Sequence, residues 1–145
     1  MRVGLFRADE QQAVRELFGA LAREVELVLV HGPEESPLPG ARDIDFAGET
    51  QKLLCGLAEL SELVSVRVTD GSELAVERHP AVVVLADGED TGIRYYGLPW
   101  GYELASLVGA VIEAGRPETT LSEESLRVLD RLERDVSIEV FVTPT

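Results

Sequence analysis

Cysteine is almost absent from this sequence, and its scarcity excludes several kinds of chemistry. Cys55 is the single cysteine of the 145-residue chain. An internal disulfide, a CxxC metal clamp and a vicinal redox dithiol are therefore impossible within it. Cys55 falls inside a predicted helix, away from its positive N-terminus, so we expect a packed, inert thiol. Neither His31 nor His79 stands at a ligand spacing such as HxxxH, and we predict no metal site.

Long apolar runs and positive charge are also scarce. No apolar run approaches the ~18 residues that span a bilayer, and the polar first ten residues resemble neither a signal peptide nor a lipidation signal. We therefore expect a cytoplasmic protein without membrane contact. The net charge of -14 repels phosphate backbones and anionic headgroups, which argues against nucleic-acid and membrane-surface partners. Phosphate-binding glycine loops and hydrolase motifs are missing, and we predict no cofactor.

Short apolar patterns divide the first half of the chain into helices and strands. They predict, in order, a helix over 9–21 capped by Asp9, a buried strand over 25–30, a proline-rich loop over 32–46, a helix that opens at Gly48 and ends near Leu63, and a strand over 64–68. A strand, a crossover helix and a second strand make a βαβ unit, whose strands run parallel.

A hairpin and a further helix follow. Residues 81–85 form an uninterrupted apolar strand, and residues 92–96 form its partner after a turn over 87–90. A broad apolar stripe predicts a helix from Leu104 that ends at Gly115. We thus predict an α/β fold with the order βαβ-ββα behind an extra N-terminal helix. Its four strands should form a mixed sheet with helices on both faces.

The last part of the chain repeats the opening pattern. A capping box at 120–123 precedes an apolar stripe that reaches Leu132, and residues 138–142 have strand spacing. Helix followed by strand is also how the chain begins. We therefore predict one domain over 1–116, and over 117–145 a linker with the first helix and first strand of a second unit.

Two motifs resemble a known family of proteins. They are Gly92-Ile93-Arg94-Tyr95-Tyr96-Gly97-Leu98-Pro99-Trp100-Gly101-Tyr102-Glu103 and Val136-Ser137-Ile138-Glu139-Val140-Phe141-Val142-Thr143-Pro144-Thr145. Both are similar to stretches of the hyperthermophile-type protein disulfide oxidoreductases, or glutaredoxin-like proteins. These consist of two fused thioredoxin-fold units and are related to the N-terminal module of the alkyl hydroperoxide reductase flavoprotein. In that family the second motif leads directly into the CPYC dithiol of the second unit.

The resemblance implies an active-site turn that has lost its sulfur. It puts the CxxC of the first unit on Ala47, Gly48, Glu49 and Thr50. We expect Thr50 simply to cap the helix and Glu49 to complement its dipole. We accordingly predict no catalytic residue in this chain.

The resemblance also places a cis proline at Pro80, facing that turn. A cis bond is uncommon even before proline, so the sequence by itself does not establish it. His79 would then either line a substrate cleft, together with Tyr95 and Tyr96, or be a solvated loop residue.

Three functions remain open at this point. We favour a catalytically silent N-terminal thioredoxin-fold half of a cytoplasmic thiol–disulfide oxidoreductase, which supports a dithiol-bearing second unit. The alternative is an independent thioredoxin-like module that holds extended peptides in the cleft near His79 and Pro80 without redox activity. The third is a redox enzyme that uses Cys55 alone. We also expect the apolar strand over 138–142 to dock on the sheet edge of its own domain or to pair with a second copy, giving a homodimer.

Overall fold

The computed structural model describes residues 6–32, 45–71 and 73–142. Helices and strands follow the predicted order up to the last helix. Along the chain they are α1 (Ala8–Phe18), β1 (Val25–Val30), α2 (Phe46–Ala58), β2 (Val64–Thr69), β3 (Ala81–Ala86), β4 (Glu89–Tyr96), α3 (Tyr102–Gly115) and α4 (Glu123–Leu129). The predicted proline-rich loop lies, for residues 33–44, outside the described ranges.

The strands form one mixed sheet in the order β2-β1-β3-β4. β1 runs parallel to β2, with Val25 opposite Val64, and antiparallel to β3, with Val28 opposite Val83. β3 and β4 make an antiparallel hairpin. The predicted α/β fold, with its four-stranded mixed sheet and βαβ crossover, is confirmed.

The turn of the hairpin is tighter than predicted. Asp87 and Gly88 form it alone, with φ angles of 48° and 81°. Positive φ at both central residues is typical of the two-residue turn that matches the twist of the flanking strands. β4 therefore begins at Glu89, where the charged residues conceal the strand pattern.

One face of the sheet carries the main hydrophobic core. Alternate residues of β1, among them Leu27 and Leu29, pack there with buried residues of all three long helices. Phe18 represents α1, Leu54 α2 and Leu107 α3. Helices α1, α2 and α3 thus share a single face of the sheet.

On the opposite face of the sheet no helix packs among the described residues, which corrects the prediction of helices on both faces. This face buries five residues, which are Val28, Val30, Ala81, Val83 and Leu85. Among the described residues, their packing partners are Leu74 and Val76, which belong to no helix. Uninterrupted apolar strands show that both faces are covered, but they do not show by what.

We call residues 70–80 the strap, of which Ser72 lies outside the described ranges. Arginines on the two edge strands bind the strap. Arg67 on β2 pairs with Glu26 at 3.0 Å and with Glu73 of the strap at 3.4 Å. Arg94 on β4 donates from Nε to the carbonyl of Ala75 at 3.1 Å. A non-helical segment is thereby fixed over an apolar sheet face.

Arg94 is also held from its other side. Its two terminal nitrogens bind both carboxylate oxygens of Asp90, at 2.8 and 2.6 Å. The hydrogen bond from this mostly buried guanidinium holds the pKa of Asp90 below its ordinary value.

The helix ends differ from the predicted ones by a few residues. α1 begins at Ala8 rather than behind Asp9, because the Glu10 carboxylate accepts the backbone N–H of Arg7 at 2.8 Å. It ends at Phe18, and Leu21 is buried beyond its end. In the described part of the chain, no helix has the length and apolarity needed to cross a membrane.

The tail, residues 117–142, is the part where the structure departs most from prediction. α4 ends at Leu129 rather than Leu132, and residues 138–142 form no strand. Their apolar side chains are exposed, Ile138 by 84% and Phe141 by 77%. A strand forms only against a partner strand, and no described strand of the sheet pairs with this segment. Docking on the chain's own sheet edge, one of the two predicted outcomes, does not occur.

Candidate functional site

The predicted active-site turn is the first turn of α2. The β1-α2-β2 crossover puts this helix end at the edge of the sheet where β1 ends. Asp45 caps it: its Oδ1 accepts the backbone N–H of Gly48 at 2.9 Å, and its carbonyl accepts that of Glu49, also at 2.9 Å. The helix N-terminus is therefore closed by a carboxylate of the chain itself.

Thr50 does not cap the helix, contrary to prediction. Its side chain is fully buried, and its hydroxyl has no hydrogen-bond partner among the described residues. Asp45 directly precedes α2, so its side chain reaches a backbone N–H group of the first turn. Thr50 lies within the helix and does not cap it. An aspartate directly ahead of the apolar pattern was the sequence signal for this cap.

Glu49 lies in the first turn, as expected of a residue that complements the helix dipole. It also accepts a hydrogen bond from Lys52 Nζ at 2.6 Å, which raises the pKa of that ammonium. Ala47, which the resemblance aligns with the first cysteine of a CxxC, is partly exposed. Neither residue supplies a thiol.

The His79–Pro80 peptide bond is cis, which confirms the expectation from the resemblance. The carbonyl of Pro80 accepts the backbone N–H of Gly97 at 2.9 Å, so the end of β4 lies beside it. His79 is half-buried rather than a solvated loop residue. Its ring packs against Gly32, where an added Cβ would overlap its Cβ and Cγ, and lies near Gly71.

The two tyrosines predicted to line the cleft point to different faces of the sheet. Tyr95 packs against the main core, and its hydroxyl hydrogen-bonds the Ser106 hydroxyl on α3 at 2.9 Å. Tyr96 lies opposite Ala81 on the strap side, and its hydroxyl accepts the backbone N–H of Glu77 at 3.4 Å. Tyr95 therefore fixes α3 to the sheet, whereas Tyr96, 41% exposed, remains at the predicted cleft edge.

Cys55 is exposed, so the expectation of a packed thiol was wrong. It stands on the outer side of α2, next to the buried Leu54 and opposite the core. Three or more potential ligands do not gather into a metal site anywhere in the described ranges. Among the described residues, the first turn of α2, Pro80 and the end of β4 include no thiol.

Comparison with known proteins identifies relatives of the chain. No protein-family model matches it. Over 141 residues, 97% of the chain, it is 27% identical to the alkyl hydroperoxide reductase protein AhpF of Staphylococcus epidermidis. It is 26% identical over the same length to AhpF of Staphylococcus aureus. The chain spans about a quarter of the length of these relatives, 25% in each case.

Solved structures agree with this match. The N-terminal domain of AhpF from Enterococcus faecalis has a TM-score of 0.70 at 25% identity, over 84% of this chain and 58% of that one. A mutant of the same protein has a TM-score of 0.69 at 26% identity, with the same coverage. A protein disulfide oxidoreductase from Aeropyrum pernix, 24% identical, shares the fold with a TM-score of 0.68 over 87% of this chain and 55% of that one.

The sequence motifs, the βαβ-ββα order and these matches agree with one another. The chain has a thioredoxin-like fold and is similar to the N-terminal region of the alkyl hydroperoxide reductase protein AhpF.

Proposed function

We propose that this chain is the catalytically silent thioredoxin-fold half of a cytoplasmic thiol–disulfide oxidoreductase. The first turn of α2 carries the proposal: the resemblance aligns Ala47 and Thr50 with the paired cysteines, and neither residue has sulfur. Asp45 occupies the helix N-terminus that would stabilise a thiolate. We infer that the turn keeps the backbone of a thioredoxin-type site without its thiols.

Reduction of insulin by dithiothreitol tests whether the chain is silent. We expect the wild-type chain to stay at the uncatalysed rate, because one thiol cannot resolve a mixed disulfide. Cys55→Ser is the matched control and should behave identically. Turnover above background that disappears in Cys55→Ser would contradict the proposal and favour a redox role for Cys55.

Support of a dithiol-bearing second unit is the structural role that we propose for this half. The tail is consistent with that role, because Val136, Ile138 and Phe141 are all more than half exposed. Soluble proteins usually cover such a contiguous apolar surface with a partner. The chain's relatives are also about four times its length, since it covers 25% of them.

Hydrogen–deuterium exchange tests this partner. The chain is mixed with, or joined to, a dithiol-bearing thioredoxin-fold domain of a related AhpF, and the amides of residues 136–142 are followed. We expect their exchange to slow while that of α1 stays unchanged. Equal exchange with and without the second domain would exclude the tail as the contact.

A further inference from the structure

The outer edge of β2 presents backbone groups that no described residue binds. The N–H of Val25 donates to the carbonyl of Leu63, and the N–H of His31 donates to the carbonyl of Thr69. In a parallel pair, this pattern turns the odd-numbered residues of β2 towards β1 and the even-numbered ones away from it. The N–H and C=O groups of Val66 and Val68 therefore point outwards along the open side of β2, which we call the β2 edge.

The other edge of the sheet, formed by β4, is protected against strand pairing. Its register with β3 shifts within the strand, which marks a bulge. In the bulge Gly92, with a φ of 81°, donates its N–H to the Asp90 carboxylate at 2.8 Å. Ile93 donates its N–H to the Thr91 hydroxyl at 3.3 Å. Bulges of this kind hinder the pairing of an edge strand with another chain.

The β2 edge lacks the features with which proteins guard an edge strand. Residues 64–69 include no proline and no lysine, and their register with β1 is regular. The charged residue of the strand, Arg67, is already bound to Glu26 at 3.0 Å and to Glu73 at 3.4 Å. Val68 is 42% exposed. β2 thus offers a regular strand edge with an exposed apolar side chain.

The surroundings of the β2 edge are acidic. From residue 59 to residue 73 the sequence has four acids against a single arginine. The four acids, Glu59, Glu62, Asp70 and Glu73, are all exposed. The whole chain also has a net charge of -14, so electrostatics disfavours a second copy at this edge and favours a basic segment.

We propose that the β2 edge binds an extended, basic segment of a partner protein as a fifth strand of the sheet. Strand addition takes its affinity from main-chain hydrogen bonds, here to Val66 and Val68, and its specificity from alternate side chains. Because the side chains of a strand alternate, apolar residues of the added strand face the side of Val68 and its basic residues the side of Arg67 and Glu73. The β2 edge is separate from the turn at α2 and from the tail, so failure of this proposal would leave the proposed function intact.

Peptides with a blocked backbone test the proposal without any change to the protein. The full chain, isotope-labelled for NMR, is titrated with acetyl-Gly-Lys-Val-Thr-Val-Lys-Gly-amide. A strand turns alternate N–H groups to its two edges, so N-methyl groups on both valines block one edge of the peptide. N-methyl groups on the threonine and the second lysine block the other. We expect one N-methylated peptide to bind as well as the parent peptide and the other to bind about tenfold more weakly.

Hydrogen exchange of individual amides locates the bound peptide. Exchange of the Val66 and Val68 amides should slow about tenfold at saturation, whereas that of the Ser65 and Arg67 amides, which face β1, should stay unchanged. A peptide with glutamate in place of both lysines should bind about tenfold more weakly, because acids surround the edge.

A charge placed on the edge should interfere with binding. Val68→Lys should weaken binding of the parent peptide about tenfold. Leu17→Lys on α1 is the matched control, because Leu17 is also half-exposed and the same charge is added away from β2. It should change the affinity less than about twofold. Far-UV circular dichroism verifies that both variants are folded.

Three results would overturn the proposal. One is equal binding of the two N-methylated peptides, or no binding of any peptide. Another is protection by the peptide of amides in β4 rather than those of Val66 and Val68. The third is exchange at Val66 and Val68 that slows with rising protein concentration in the absence of peptide, which would assign the β2 edge to a second copy of the chain.

Discussion

Ala47 and Thr50 lie three positions apart in the first turn of α2, one partly exposed and the other fully buried. A CxxC pair needs this arrangement, an accessible attacking thiol and a sheltered resolving one. Thr50 also offers no hydrogen bond that a cysteine would break, among the described residues. The turn therefore has the exposure pattern of a CxxC pair, with two side chains that lack sulfur.

Ala47→Cys combined with Thr50→Cys should restore a redox dithiol. Cα atoms three apart in a helix are about 5 Å from each other, within the range that a disulfide bridges. We expect the oxidised double variant to lose two hydrogens by mass spectrometry and to reduce insulin faster than wild type. Each single variant is a control and should do neither. A double variant whose three thiols, that of Cys55 included, all stay free in oxidised glutathione would show that the turn lacks the required geometry.

Gly32 shows how His79 constrains the backbone at the end of β1. Its φ is 71°, and an added Cβ would overlap the imidazole of His79. Gly88 has a similar φ of 81° but open space around it. We expect Gly32→Ala to lower the free energy of unfolding by about 3 kcal/mol and Gly88→Ala by about 1 kcal/mol, measured in urea. Equal losses would mean that His79 moves aside without cost.

At the scale of elements, the strap takes the place of a helix. Two partly buried side chains, Leu74 and Val76, pack on the second sheet face. Arg94 of β4 donates to the backbone of the strap, and Arg67 of β2 pairs with the Glu73 side chain. The clamp on β4 depends on the ionised carboxylate of Asp90, since that group binds both terminal nitrogens of Arg94. Stability of the strap should therefore depend on pH.

The direction follows from the pKa of Asp90, which lies below the ordinary 3.8 in the folded chain. Its contribution is fully present above that value and is lost as the pH falls through the folded pKa. We expect Asp90→Asn to lower the melting temperature at neutral pH and the difference from wild type to shrink on acidification. Glu123→Gln, which breaks the exposed pair with Arg127, should have little effect at any pH. A constant difference across the titration would assign the loss at Asp90 to packing rather than charge.

At the scale of the whole molecule, the exposed tail favours assembly with a second copy. Its apolar residues contact no described strand of the sheet, and a second copy is the partner available to a purified chain. We expect light scattering to give the mass of a dimer, and the dimer to weaken in the full chain with Ile138→Asp and Phe141→Asp. Glu139→Gln, between the two sites, is the control. Monomers for wild type and variants alike would rule out the tail as a dimer contact.

The sequence determined most of the architecture by itself. Short apolar runs, a period-two segment and helical spacings located the four strands and four helices of the described ranges. The strand-helix-strand order fixed the parallel pair of β1 and β2. Helical spacing also predicts that Cys55 is exposed. Cys55 lies two positions from both Leu53 and Leu57, which are buried, and therefore points away from the core. These patterns are local, and they report which side of an element is buried.

Only the tertiary structure decided which segments cover each face of the sheet. It put three helices on one face and the strap on the other, tied Tyr95 to Ser106 instead of the cleft, and placed His79 against Gly32. It also left residues 138–142 without the strand that their spacing predicts. All of these depend on contacts between residues far apart in the chain. An apolar or alternating run indicates that another segment must pack against it. Which segment does so is set by the packing of the whole molecule.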